Sequence, residues 1–141
     1  MVWRNELGEL HRVDGPAIMR VDGSYAWFLN NRLHRVDGPA VKHADGHTEW
    51  WLHGKRHRDN GPATILSNGD AYWYVHGQRH RDDGPAVINA DGLQMWYLND
   101  TRHRVDGPAI TWPNGTCEWW FNGKQVDAFE YWLLAGAKTV A

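Results

Sequence analysis

One pattern recurs every 23 residues along this chain and constrains its fold more than any other feature. His11, His34, His57, His80 and His103 are evenly spaced without insertion, as are Pro16, Pro39, Pro62, Pro85 and Pro108, and Trp27, Trp50, Trp73, Trp96 and Trp119. A period in this range marks stacked units, each too small to bury its apolar face alone. The unit opens His-Arg-x-Asp/Asn-Gly-Pro-Ala, reaches an Asp/Asn-Gly pair, then closes through Trp, a second aromatic and an apolar residue. Five units run 11–33, 34–56, 57–79, 80–102 and 103–125. Residues 1–10 read as a degenerate half unit, with Gly8 at the position of Gly54, and 126–141 as a capping helix and tail.

Two turn signals punctuate each unit. Asp22-Gly23, Asp45-Gly46, Asn68-Gly69, Asp91-Gly92 and Asn114-Gly115 have the composition of two-residue type I′ hairpin turns, which need positive φ. A second reversal falls near Asn30-Asn31, His53-Gly54, His76-Gly77, Asn99-Asp100 and Asn122-Gly123. The Gly-Pro steps exclude helix and belong at bends. Between the turns lie two strand-like runs, so the expected fold is an all-β tandem hairpin meander. It has ten or eleven strands in a single-layer sheet and a C-terminal capping helix.

Tight turns at Asp-Gly predict the register: Val41 faces Trp50, Ala40 faces Trp51, and Trp112 faces Cys117. Alternation then puts the repeated Trp on one face with Ile18, Val41, Thr64, Val87 and Ile110. The second aromatics, Phe28, Trp51, Tyr74, Tyr97 and Trp120, share the other face with the repeated Ala and form the candidate binding surface. A single-layer sheet leaves one face in need of a partner.

The array ends where Val126 replaces the sixth His. Asp127 with Glu130 three residues on is a helix start signal, and the pattern continues to about Lys138. Phe129, Trp132 and Leu133 are expected to pack on the open sheet end. Tyr131 and Leu134 are left over for a second copy, so Phe129, Tyr131, Trp132 and Leu134 form a candidate association surface for a homodimer.

With the unit laid out, residues 11–125 resemble the MORN repeat family. The stretch Trp73-Tyr74-Val75-His76-Gly77-Gln78-Arg79-His80-Arg81, followed by Asp91-Gly92, carries the likeness. His-Arg-x-Asp-Gly-Pro-Ala stands where the usual repeat has His-Gly-x-Gly, which looks like the divergent variant of bacterial and viral proteins, some of them labelled antitoxins. The resemblance implies assembly, protein interaction, sometimes a membrane-proximal scaffold, and no chemistry.

The regular polar residues invite functional readings that spacing restrains. Two strands per unit separate equivalent His residues by about 10 Å, while zinc–nitrogen bonds of about 2.0–2.1 Å need ligands far closer. His34, His57, His80 and His103 are therefore expected to be structural, as are Arg35, Arg58, Arg81 and Arg104 beside their Asp or Asn neighbours. His43, His47 and His53 cluster in sequence around one hairpin, where solvated imidazoles are the simpler reading than a metal site. Cys117 is the lone cysteine, and no Ser-His-acid or paired-carboxylate constellation stands apart from the repeat, so no catalytic residue and no cofactor are expected.

A formal net charge of −2 supplies no field for nucleic acid or anionic lipid. The first residues carry no apolar run, and no window has the length of a membrane helix, so a cytoplasmic protein is expected. The function these readings favour is a non-catalytic scaffold for protein–protein recognition, in which an inhibitor or antitoxin-like surface docks on a macromolecular target. An aromatic carbohydrate-binding repeat is the alternative.

Overall fold

The computed structural model describes residues 1–139, with side chains as far as Gly136. Every unit folds as two successive hairpins. In the second unit Val41–Lys42 pairs with Thr48–Glu49, and Trp51–Leu52 pairs with Lys55–Arg56. The first hairpins join edge to edge into an 11-stranded antiparallel sheet, which the fifth unit extends through Cys117–Phe121 and Lys124–Val126. The second hairpins of the first four units are separate two-stranded ribbons. The all-β meander is as expected, but each of those units holds four short strands instead of two.

The extra break has a local cause at the repeated Trp, where the chain changes partners. Trp50 N–H donates to the Ala63 carbonyl of the next unit, while its own carbonyl accepts from His57 N–H. Residues before it belong to the long sheet and residues after it to the ribbon.

The two turn signals exchange roles. His53 and Gly54 have φ of 49° and 77°, Asn30 and Asn31 have 48° and 63°, and these pairs are the two-residue turns with both centres left-handed. At Asp45-Gly46 only Gly46 is left-handed, with φ 95°. There His43 N–H donates to His47 O and Gly46 N–H to His43 O, a three-residue loop ending in a glycine bulge. Asp45 Oδ1 accepts the His47 N–H, so the carboxylate fixes the loop from within.

One extra loop residue shifts the register by one and changes which face each side chain takes. Val41 is opposite Glu49, not Trp50, and Cys117 is opposite Thr111, not Trp112. The repeated Trp therefore alternates with the repeated Ala across the sheet. Ala17, Ala40, Ala63, Ala86 and Ala109 have no exposed surface at all. The Ile18/Val41 series lies instead with the second aromatics, as the bond from Trp51 Nε1 to Glu49 confirms for that face.

The N-terminal segment pairs with the first unit. Val2 bridges Ile18, Trp3 N–H donates to Ala17 O as Trp27 N–H does to Ala40 O, and Gly8 is left-handed with φ 78°.

At the other end α1 spans Ala128–Thr139, capped by Asp127 Oδ1, which accepts the Glu130 N–H at 2.7 Å. Its orientation corrects the expectation. Tyr131 and Ala135 face the sheet at 0% and 2% exposure, whereas Phe129 is 76% and Leu133 60% exposed. Four-residue spacing stacks 127, 131 and 135 on one stripe, and the cap at Asp127 ties that stripe to the sheet. Tyr131 is thus not available to a second copy; Trp132 keeps an edge contact with Trp119 at 5.7 Å but is half exposed, and Phe129, Leu133 and Leu134 are left outside.

Candidate interaction site

The His-Arg-x-Asp-Gly-Pro-Ala segments form a row of loops along one side of the sheet, each built around a His and an Arg that are half-buried, with His103 alone buried. The His Nδ1 accepts a backbone N–H at the second turn of its own unit: His34 from His53 at 3.0 Å, His57 from His76 at 2.9 Å and His80 from Asn99 at 3.1 Å. His11 and His103 do the same for Asn30 and Asn122. This locks the loop to the ribbon and commits Nδ1 as an acceptor. In His57 and His80 the other ring nitrogen meets Asp59 and Asp82 at 2.9 and 3.0 Å.

The Arg lies flat over the indole that precedes it. Arg12, Arg35, Arg58, Arg81 and Arg104 sit 3.9 to 4.2 Å above Trp3, Trp27, Trp50, Trp73 and Trp96. Each donates to the Pro carbonyl of its loop, and Arg12, Arg35, Arg81 and Arg104 also pair with the Asp two residues on. Asn60 takes the Asp position in the third unit, and burial without that carboxylate pushes the Arg58 guanidinium below its ordinary value. The other side of the guanidinium touches the loop glycine. A Cβ on Gly61 would lie 2.7 Å from Arg58 Cζ, which explains a glycine that does not need positive φ.

With its arginines folded inward, this side exposes carboxylates. The side chains of Asp14, Asp37, Asp59, Asp82, Asp83 and Asp106 are 69 to 87% exposed. Between consecutive loops lie grooves of about 300, 400 and 160 Å³, floored by Trp50 and Leu52, Trp73 and Val75, and Trp96 and Leu98.

The matching groove of the fifth unit is filled. Tyr131 of α1 enters it, its ring 4.9 Å from Trp119 and 6.2 Å from Phe121. Its hydroxyl donates to the Arg104 carbonyl and accepts the Gly107 N–H at 3.1 Å. Burial pushes this phenol up from its ordinary pKa, so it stays protonated and able to donate. The buried Gly38, Gly61 and Gly84 occupy the corresponding loop positions, and their N–H groups make no hydrogen bond to any described residue.

The aromatics singled out from sequence lie on the other face and are largely roofed. Tyr97 is 3% exposed, Arg56 lies over Trp51 and Tyr74, Arg79 over Tyr97, and Arg102 over Trp120. Arg79 is further fixed by Asp100 at 3.0 Å. Arginines thus lie over Trp51, Tyr74, Tyr97 and Trp120, while Phe28, Trp51, Tyr74 and Trp120 stay half-buried. Sequence reasoning missed the loop grooves because it treated the Arg as paired only to Asp. The recurrence of Arg eight residues after Trp, at Arg35, Arg58, Arg81 and Arg104, was the signal for the stack.

One polar group departs from the repeat. His43 and His47 converge with Glu49, not with His53, whose ring lies 4.4 Å from His34 instead. Burial alone would raise the Glu49 carboxyl, but bonds from Trp51 and His43 and the nearby Arg56 hold it below its ordinary value.

Among the described residues no helix is long and apolar enough to cross a membrane. A scan against protein-family models and a search of curated proteins both find no match to the chain.

Proposed function

We propose that this chain is a non-catalytic recognition module that holds a segment of a partner protein along its row of loop grooves. The seating of Tyr131 in the fifth groove carries this reading. It is a worked example, within the molecule, of an aromatic side chain bound by a Trp-floored groove and a loop backbone pair. Three further grooves keep a Trp floor and a loop N–H to offer. There, however, the next unit's Arg already holds the place over the Trp that Tyr131 takes, so a partner ring would lie against that guanidinium. The exposed Asp rim favours a partner with Lys or Arg beside its aromatic residues. Grooves repeating at about 10 Å match every third residue of an extended chain at about 3.3 Å per residue. The resemblance to MORN-like repeats points the same way, and an inhibitor or antitoxin-like role is one use of such a surface. Any self-association belongs to the exposed Phe129 and Leu133 on α1 and not to the row of loops.

The test is a displayed peptide library panned against the full chain. Enriched peptides should pair Tyr or Phe with Lys or Arg, and their binding should shift the indole N–H signals of Trp50, Trp73 and Trp96. Reversing the rim with Asp59→Lys and Asp82→Lys should abolish that binding. Enrichment of sequences without aromatic or basic residues would overturn the reading, as would binding only to glycans or shifts confined to the opposite face.

A further inference from the structure

The first hairpin of the second unit carries a side-chain group that the same hairpin lacks elsewhere. His43, His47 and Glu49 occupy positions held by Arg20, Ser24 and Ala26 in the first unit and by other combinations in the remaining three. The hairpin therefore forms without these residues, and unit construction does not account for them.

The register brings them together. His43 and His47 face each other where the three-residue loop closes, and Glu49 lies two residues further along on the same side. The two imidazoles stack with centroids 4.5 Å apart. Nε2 of His43 is 3.2 Å and Nε2 of His47 is 3.4 Å from Glu49 Oε1. One ligand atom from each of the three residues lies within 4.8 Å of the others. Tetrahedral zinc with bonds of about 2.0–2.1 Å places its ligand atoms roughly 3.3 Å apart, so the carboxylate-to-imidazole spacings already fit.

Two further observations point to a ligand. His47 Nε2 is buried and makes no hydrogen bond, its approach to Glu49 being poorly aligned. Glu49 Oε2 is separately engaged by Trp51 Nε1 at 2.8 Å and Arg56 at 3.5 Å. These contacts hold the carboxylate from behind and leave Oε1 turned toward the imidazoles, as outer partners do for metal-binding carboxylates.

We propose that His43, His47 and Glu49 bind a zinc ion, with the fourth coordination position open to solvent beside the half-exposed His43. Two imidazoles and a carboxylate suit zinc over calcium or magnesium, which prefer all-oxygen shells. The site is on the face opposite the loop grooves and stands independently of the recognition reading. It also borders an apolar cleft of about 300 Å³ lined by Ile18, Phe28, Leu33 and Val41, which a ligand of the ion's open position could enter.

The test is calorimetric titration of the metal-stripped full chain with zinc chloride, alongside cobalt(II) absorption as a report of tetrahedral geometry. One zinc per chain at micromolar or tighter affinity is expected, with intense cobalt bands and a higher melting temperature. His43→Ala, His47→Ala and Glu49→Gln should each weaken binding at least roughly tenfold, with circular dichroism checking that each variant is folded. His53→Ala should bind as the parent does. Absence of stoichiometric binding would overturn the site. So would binding that survives the double variant His43→Ala/His47→Ala or depends on His53.

Discussion

The ring of Tyr131 lies 4.9 Å from the indole of Trp119, in the place where each earlier unit puts an arginine over its tryptophan. The chain has no sixth His-Arg loop to supply that arginine. The helix substitutes a phenol, whose hydroxyl also takes up the backbone of the fifth loop. A cap that mimics the missing neighbour is one solution to the end problem of a stacked array.

Tyr131→Ala is expected to destabilise the terminal unit by about 3–5 kcal/mol, the usual range for truncating a buried aromatic. Tyr131→Phe should lose about 1–3 kcal/mol, because Gly107 N–H and Arg104 O are left without their partner. Hydrogen exchange of the 103–125 amides reads both. A Phe variant with unchanged protection would show that the hydroxyl contributes nothing.

Gly61→Ala should cost about 2–3 kcal/mol through expulsion of the Arg58 guanidinium from its place over Trp50. The cause is separable by a double-mutant cycle. In an Arg58→Ala background the same glycine substitution should become nearly neutral, since no side chain then occupies the space. Denaturant midpoints of the four proteins decide it, and additive losses would place the strain elsewhere.

Stability should fall with acidification through the histidine range. Burial, and then the neighbouring His53, hold the His34 pKa below its ordinary value. The unfolded chain therefore takes up its proton first. The contribution is complete above the unfolded imidazole value and is lost as pH drops from there to the lowered folded value. Physically, protonating Nδ1 would remove the acceptor for His53 N–H. Urea midpoints from neutral pH to about pH 5 should decline, and His34→Ala should flatten the slope. An unchanged slope in that variant would remove His34 as a cause.

Asn99 holds φ of 47° at the first centre of its two-residue turn. Asn99→Val should cost about 1–3 kcal/mol, because a β-branched side chain is strained in that region. Asn99→Gly should stay close to the parent in thermal unfolding. Equal melting temperatures for the Val and Gly variants would show that the turn relaxes into another form.

Much of the architecture was legible because it rests on short-range chemistry repeated five times. The 23-residue period, the Gly-Pro bends and the paired turn signals determine an antiparallel meander of hairpins. Asp127 with its apolar followers marks a capped helix. The two turn signals look alike on paper, however, since both offer residues that tolerate positive φ. Only the hydrogen bonds His43–His47 and Gly46–His43 show which is the three-residue loop. That single residue moves the repeated Trp to the Ala face.

The sequence by itself thus determined the repeat, the strand-and-turn alphabet and the presence of a terminal helix, all set by local backbone preference. Tertiary structure alone decided the register, the rotation of α1, the stacking of each repeat Arg on a Trp and the turn N–H that each repeat His accepts. Those choices depend on contacts between residues far apart in the chain, such as Tyr131 with Arg104 and Gly107. A helix apolar on several sides has no preferred rotation until one ring finds both a floor to stack on and a backbone pair for its hydroxyl. Likewise, His43, His47 and Glu49 become a cluster only once the glycine bulge has set which residues face each other.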